Sequence, residues 1–127
     1  MSGQGIDQSV YREGLRWGKK ILIIEDEALS AMLLARTLSD IGYSIDKVVA
    51  TGEAAIENAK LGNPDIIAMD IRLAGKLDGI EAASTITSEL SIPIVFMPGY
   101  DDRLTRDRAM SLKPLGYMIK PLDLKKI

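Results

Sequence analysis

Short apolar runs alternate along this chain with longer stretches in which apolar residues recur every three or four positions. Ile21-Leu22-Ile23-Ile24 is a continuous run that ends abruptly in Glu25-Asp26-Glu27, as a strand buried on both faces would. Ala28 to Asp40 carries Leu29, Met32, Leu33, Ala35 and Leu38, which predicts a helix with one apolar face, punctuated by Gly42. Ser44 to Ala50 is a second, less apolar strand, expected nearer an edge. Thr51 is placed to cap a helix running to Leu61, although Ala54 stands where a capping box prefers Glu, and Gly62-Asn63-Pro64 breaks that helix. A third strand, Ile66 to Met69, ends at Asp70. After a loop containing Gly75, Asp78 to Glu89 is helical with Ile80, Ala83 and Ile86 on one side. Pro93 to Met97 is a fourth strand, stopped by Pro98-Gly99. Asp101 or Asp102 starts a short polar helix reaching about Met110. Leu115 to Ile119 is the last strand, and Asp123 to Ile127 reads as the opening of a final helix.

The pattern is (βα)5. It predicts an α/β fold of three layers, a doubly wound parallel sheet with helices on both faces. Residues 1–18 show no period, although Tyr11, Leu15 and Trp17 could pack on something. They read as an N-terminal tail before a single domain over residues 19–127. A chain of 127 residues, 46% apolar and 27% charged, supports one core of ordinary composition.

A net charge of −2 gives no global drive toward nucleic acid or a membrane surface. Arg103, Arg106 and Arg108 cluster locally and read first as a solvated helix face. The absence of cysteine excludes disulfide and thiol chemistry, and the absence of histidine excludes an imidazole base or a phosphohistidine within the chain. No apolar stretch is long enough to span a bilayer, and the N-terminal residues lack the apolar core of a signal peptide. A cytoplasmic location follows by elimination.

The strand ends carry the candidate chemistry, because ligands of open parallel sheets bind beyond the carboxyl ends of the strands. Glu25 and Asp26 follow strand one, Asp70 follows strand three and Lys120 follows strand five. If those strands are neighbours, three carboxylates and one ammonium converge. Such carboxylates repel unless something neutralises them, and a hard divalent cation such as Mg2+ with oxygen ligands does so. Asp70 is then a candidate nucleophile toward phosphorus, Glu25 and Asp26 position the metal, and Lys120 stabilises charge on a transferring phosphoryl group. Singly, each has a plainer reading: Asp70 as a turn residue, Lys120 before Pro121 as a surface residue, Glu25-Asp26-Glu27 as a solvated helix start. Three strands ending in matching chemistry favour the site.

These residues resemble those of the response-regulator receiver family over about Lys20 to Ile127. The resemblance rests on the first strand with its acidic pair, on Met69-Asp70, on Leu77-Asp78-Gly79-Ile80-Glu81-Ala82, and on Lys120-Pro121. It implies strand order 2-1-3-4-5 in a flavodoxin-like sheet and a cis bond between Lys120 and Pro121. It implies that Asp70 takes a phosphoryl group from a histidine kinase or phosphotransfer domain of a phosphorelay, or from a small phosphodonor. Mg2+, for which Mn2+ can substitute, would be held by Asp26, Asp70 and the backbone carbonyl of Arg72, with help from Glu25. Tyr117 matches the aromatic that reorients on activation. The output face would be formed by helix four, strand five and helix five, where Arg103 and Arg106 lie. Catalysis would be confined to self-phosphorylation and autodephosphorylation. A fused sensory, kinase or output module and a homodimer are compatible with the resemblance. Direct nucleic-acid binding and membrane insertion are not expected.

Two departures stand out. Pro98 occupies the place where the family carries Thr or Ser, so it brings neither a hydroxyl nor an N–H to a phosphoryl oxygen, and only Gly99 keeps an N–H there. Phosphorylation of Asp70 is expected to survive, with weaker coupling to Tyr117. The alternative is a degenerate receiver that acts as a protein-binding module. Only seven residues follow Lys120, which predicts a truncated fifth helix, an incompletely covered sheet face, and a chain that is a fragment of a longer protein. An aspartyl-phosphate phosphohydrolase is disfavoured because Arg72 stands where an Asp-x-Asp site needs its second carboxylate. A dinucleotide fold is disfavoured because no Gly-x-Gly-x-x-Gly follows strand one.

Overall fold

The computed structural model describes residues 18–121. It contains β1 (Lys20–Ile24), α1 (Ala28–Asp40), β2 (Ser44–Val49), α2 (Gly52–Gly62), β3 (Ile66–Met69), α3 (Gly79–Glu89), β4 (Ile94–Phe96), α4 (Arg103–Met110) and β5 (Gly116–Tyr117). The five strands form one parallel sheet in the order β2-β1-β3-β4-β5, the flavodoxin-like receiver arrangement. The expected final helix and the packing of Tyr11, Leu15 and Trp17 lie outside the described residues. The Lys120–Pro121 bond is cis. No helix among the described residues is long and apolar enough to cross a membrane.

The chain moves one way from β1 to β2 and the other way from β2 through β3, β4 and β5. Crossovers of one hand made in opposite directions put helices on opposite faces. Ile21 and Ile23 pack with Leu34 and Leu38 of α1 on one face. Leu22 and Ile24 pack with Ala55, Ile80, Ile86 and Phe96 on the other, where Ala109 brings in α4. Alternate residues of β1 thus feed two cores, which is why that strand reads as unbroken apolar sequence. Beyond β3 the α1 face is less filled: a groove of about 370 Å³ is lined by residues including Leu38, Val95, Met97 and Met118.

Helix ends follow their local chemistry. Thr51 Oγ1 accepts from the Ala54 N–H at 3.0 Å, so the cap forms without a Glu at the third position. Asn63 ends α2 in the left-handed conformation, φ 46°. Asp78 and Glu81 form a reciprocal capping box at α3, so Asp78 caps the helix and Gly79 begins it.

Three expectations are corrected. The α1 face that meets the sheet is Ala31, Leu34 and Leu38, whereas Leu29, Met32 and Leu33 are exposed. Strand four is Ile94–Phe96, because Pro93 cannot donate to the ladder. Strand five pairs only through Gly116 and Tyr117, although the Met118 N–H still reaches Phe96 O at 2.8 Å.

Candidate functional site

The reversal of strand order between β1 and β3 opens a cleft beyond the carboxyl ends of β1, β3 and β4. Backbone bonds continue the sheet one step past the strands and fix the residues there. The Glu25 N–H donates to Val49 O and the Asp70 N–H to Ile24 O, both at 2.9 Å, and the Lys120 N–H donates to Pro98 O at 2.9 Å. Gly79 holds the other side of Asp70. Its N–H donates to Ile71 O at 2.7 Å, and a Cβ at this position would lie 1.9 Å from the Asp70 carbonyl oxygen. Only glycine lets α3 start so close to the backbone of Asp70. The loop between them is tied at its far end by the Leu77 N–H, which donates to Glu53 Oε1 at 3.2 Å.

The expected charged residues meet in this cleft. Lys120 Nζ donates to Glu25 Oε1 and lies 3.3 Å from Asp70 Oδ2, so one ammonium bridges two carboxylates from different strands. Glu25 is buried, and it also accepts from Ser30 Oγ at 2.7 Å and from the Glu27 N–H at 3.2 Å. Asp70 is largely enclosed, and its Oδ1 accepts from the Ile71 N–H at 2.7 Å. Asp26 is exposed at the rim.

The electrostatics separate the two enclosed carboxylates. Burial pushes Asp70 up, the charge of Glu25 adds to this, and the pull of Lys120 only partly opposes it, leaving Asp70 at about 6. Burial also acts upward on Glu25, but bonds from Lys120, Ser30 and the Glu27 N–H outweigh it and hold Glu25 below the ordinary carboxylate value. Burial works against the Lys120 ammonium, yet Glu25 and Asp70 keep it above the ordinary lysine value.

Carboxylate oxygens of Glu25, Asp26 and Asp70 lie within 4.8 Å of one another. Three hard oxygen donors around one point, with Asp70 imperfectly neutralised, fit a small divalent cation such as Mg2+. Arg72, Pro98 and Gly99 line the same cleft, whose volume is about 500 Å³. Arg72 is exposed, with its guanidinium 4.8 Å from the centre of the Tyr100 ring. Pro98 is buried in the wall. A Cβ on Gly99 would meet Lys120 Cε only at 3.7 Å, an ordinary contact.

Other expected residues stand apart from this cleft. Tyr117 is not part of its lining: its hydroxyl donates to Asp101 Oδ1 at 3.1 Å. Burial, followed by the bond to Asp101 and that residue's charge, pushes Tyr117 up to about 12. Arg106 pairs with Asp101 at 3.2 Å, and Arg103 with Asp107 at 3.8 Å.

Sequence reasoning missed several participants. Ser30, in the first turn of α1, hydrogen-bonds both Glu25 and Lys120; a lone serine near a helix start carries no signal of this. Arg108 shares an arginine-rich helix with Arg103 and Arg106, but it lines the cleft and reaches Asp78 at 3.1 Å. In the sequence Asp101 signals only a helix start, and nothing there marks it as the partner of Tyr117.

The sequence model of the family described as response regulator receiver domain matches residues 21–127. The chain is 38% identical over 106 residues to the transcriptional regulatory protein PdtaR of Mycobacterium tuberculosis, covering 84% of this chain and 51% of that protein. It is 32% identical over 110 residues to the alkaline phosphatase synthesis transcriptional regulatory protein PhoP of Bacillus subtilis, covering 86% and 45%. The chain spans about half the length of the curated relatives it matches. Among solved structures, the signal receiver domain of a modulated diguanylate cyclase from Desulfovibrio desulfuricans superimposes with a TM-score of 0.79 at 36% identity, covering 85% of this chain and 86% of that one.

Proposed function

The chain belongs to the response regulator receiver family, and from that premise we propose that Asp70 is its phosphoacceptor, loaded by the phosphohistidine of a partner kinase or phosphotransfer domain. The observation that carries this is the single ammonium of Lys120 bridging Asp70 and the buried Glu25 beside a three-carboxylate cluster. In this reading a carboxylate oxygen of Asp70 attacks phosphorus and forms an O–P bond. The N–P bond of the donor imidazole breaks, and its electron pair stays on the departing nitrogen. Lys120 passes from the Asp70 carboxylate to a phosphoryl oxygen, while Glu25 and Ser30 hold its ammonium in place. The Ile71 N–H keeps Oδ1 fixed, so Asp70 attacks from a defined orientation. Glu25, Asp26 and Asp70, with the carbonyl of Arg72, would hold Mg2+, which supplies positive charge to the phosphoryl oxygens. The donor brings the histidine this chain lacks. A cytoplasmic setting goes with this reading, because phosphohistidine is made from ATP.

The test is acetyl phosphate with Mg2+ followed by intact mass. One phosphoryl adduct in the parent and none in Asp70→Asn is expected; no adduct in the parent, or an adduct surviving in the variant, overturns the reading. One observation favours a second reading, a binding module that switches poorly: buried Pro98 offers no hydroxyl to the cleft. That reading gains if the parent takes up no phosphoryl group yet still binds a partner.

A further inference from the structure

Pro98 removes one route from the cleft to the rest of the molecule, and the structure offers another. Arg108 projects from α4 into the cleft lining, and its Nη2 lies 3.1 Å from Asp78 Oδ2. Asp78 divides its two oxygens. Oδ1 caps α3 by accepting from the Glu81 N–H at 2.8 Å, and Oδ2 serves Arg108. The adjacent Gly79 is packed against the Asp70 carbonyl, so Asp78, which also lines the cleft, is one residue from a contact with the acceptor's backbone.

We propose that Arg108 is a second phosphoryl-sensing cation, held by Asp78 when Asp70 is bare and captured by the phosphoryl group when Asp70 is loaded, so that α4 responds without a hydroxyl at position 98. The proposal rests on the phosphoacceptor reading of Asp70. The Arg108–Asp78 pair is half open to water, with side chains 52% and 31% exposed, and such pairs are weak enough to exchange. An acyl phosphate brings more negative charge than one carboxylate and several acceptor oxygens, which suits the planar fork of a guanidinium. The helix that carries Arg108 is lightly anchored: Ala109 is its one buried residue. Its other ties are the Asp102 cap and the Arg106–Asp101 pair. Arg72, which also lines the cleft, sits over Tyr100 and is not on α4.

The full chain, labelled with nitrogen-15, is titrated with beryllofluoride and Mg2+, which mimic a phosphoryl group on a carboxylate. Amide shifts report on the loop after Asp70 and on α4, and fluorine signals report affinity. In the parent both regions should respond. In Arg108→Ala the loop should still respond, the α4 response should be lost, and affinity should fall roughly three- to tenfold. Arg108→Lys keeps a charge at this position and should recover part of both. Asp78→Asn keeps an oxygen for the cap but frees Arg108, so affinity should rise severalfold. An unchanged α4 response in Arg108→Ala, or weaker binding in Asp78→Asn, overturns the proposal. No beryllofluoride binding by the parent overturns the phosphoacceptor reading itself.

Discussion

The centre of the sheet and its β5 edge are built differently. At β1 and β3 the strand residues Ile21 to Ile24 and Ile67 to Met69 are 0–1% exposed, and Glu25 and Asp70 just beyond them join a connected set with Ser30 of α1 and with Lys120, which reaches across from beyond β5. At the β5 end the strand pairs through two half-buried residues. The neighbouring α4 is polar, and its arginines are held by solvent-exposed ion pairs. The carboxylates therefore sit where the backbone is over-determined, and the elements free to respond sit where it is held by weak, exchangeable contacts. Low local stability is what a responding element requires.

Substitutions can break or sharpen this contrast. The largest effect is expected for Gly79→Ala, which forces a methyl group against the Asp70 carbonyl. It should cost about 3 kcal/mol in urea unfolding, because backbone cannot move aside as a flexible side chain would. Lys120→Ala should follow at about 2 kcal/mol in metal-free buffer, since it leaves buried Glu25 beside Asp70 with no cation; the lysine's partial exposure keeps the loss below that of a fully buried pair. Added Mg2+ should recover part of it.

Asp70→Asn should act in the opposite direction, stabilising the metal-free domain by about 1 kcal/mol at pH 8 after discounting for solvent screening. The sign follows from Asp70 being raised from 3.8 to about 6 on folding. Between those values the folded state binds the extra proton, so the parent loses stability as pH rises from about 4 to about 6 and stays lower above. The variant should lack that slope. The smallest effect is expected for Tyr117→Phe, which loses one bond to Asp101 and should cost about 0.5 kcal/mol. If it proved as damaging as Lys120→Ala, the contrast between centre and edge would fail.

Much of the rigid centre was legible in the sequence because its signals are local. A run such as Ile21 to Ile24 has one plausible use in a domain this size, and an acid directly after a buried strand must lie at the sheet's carboxyl edge. The face of α1 was not legible. The helix is apolar around more than half its circumference, so the period admits two stripes, and only docking on Ile21 and Ile23 selects Ala31, Leu34 and Leu38. The Arg108–Asp78 pair was hidden for a different reason: its partners are thirty residues apart, and nothing in either neighbourhood announces the other. Ser30 is a similar case, visible only once Lys120 is folded back over β1.

The loop from Ile71 to Leu77 is pinned at its base by the bond from Gly79 to Ile71 and near its end by Glu53. Between these points Ala74 pairs with Thr51 and Leu73 packs against the core, so only the tip at Gly75 and Lys76 is exposed without such a tie. Lengthening a loop closed in this way costs little, about 0.6 kcal/mol per doubling. The tip of the loop is thus a place where a scaffold of this kind can vary its surface by insertion, without retuning the carboxylate one residue before the loop begins.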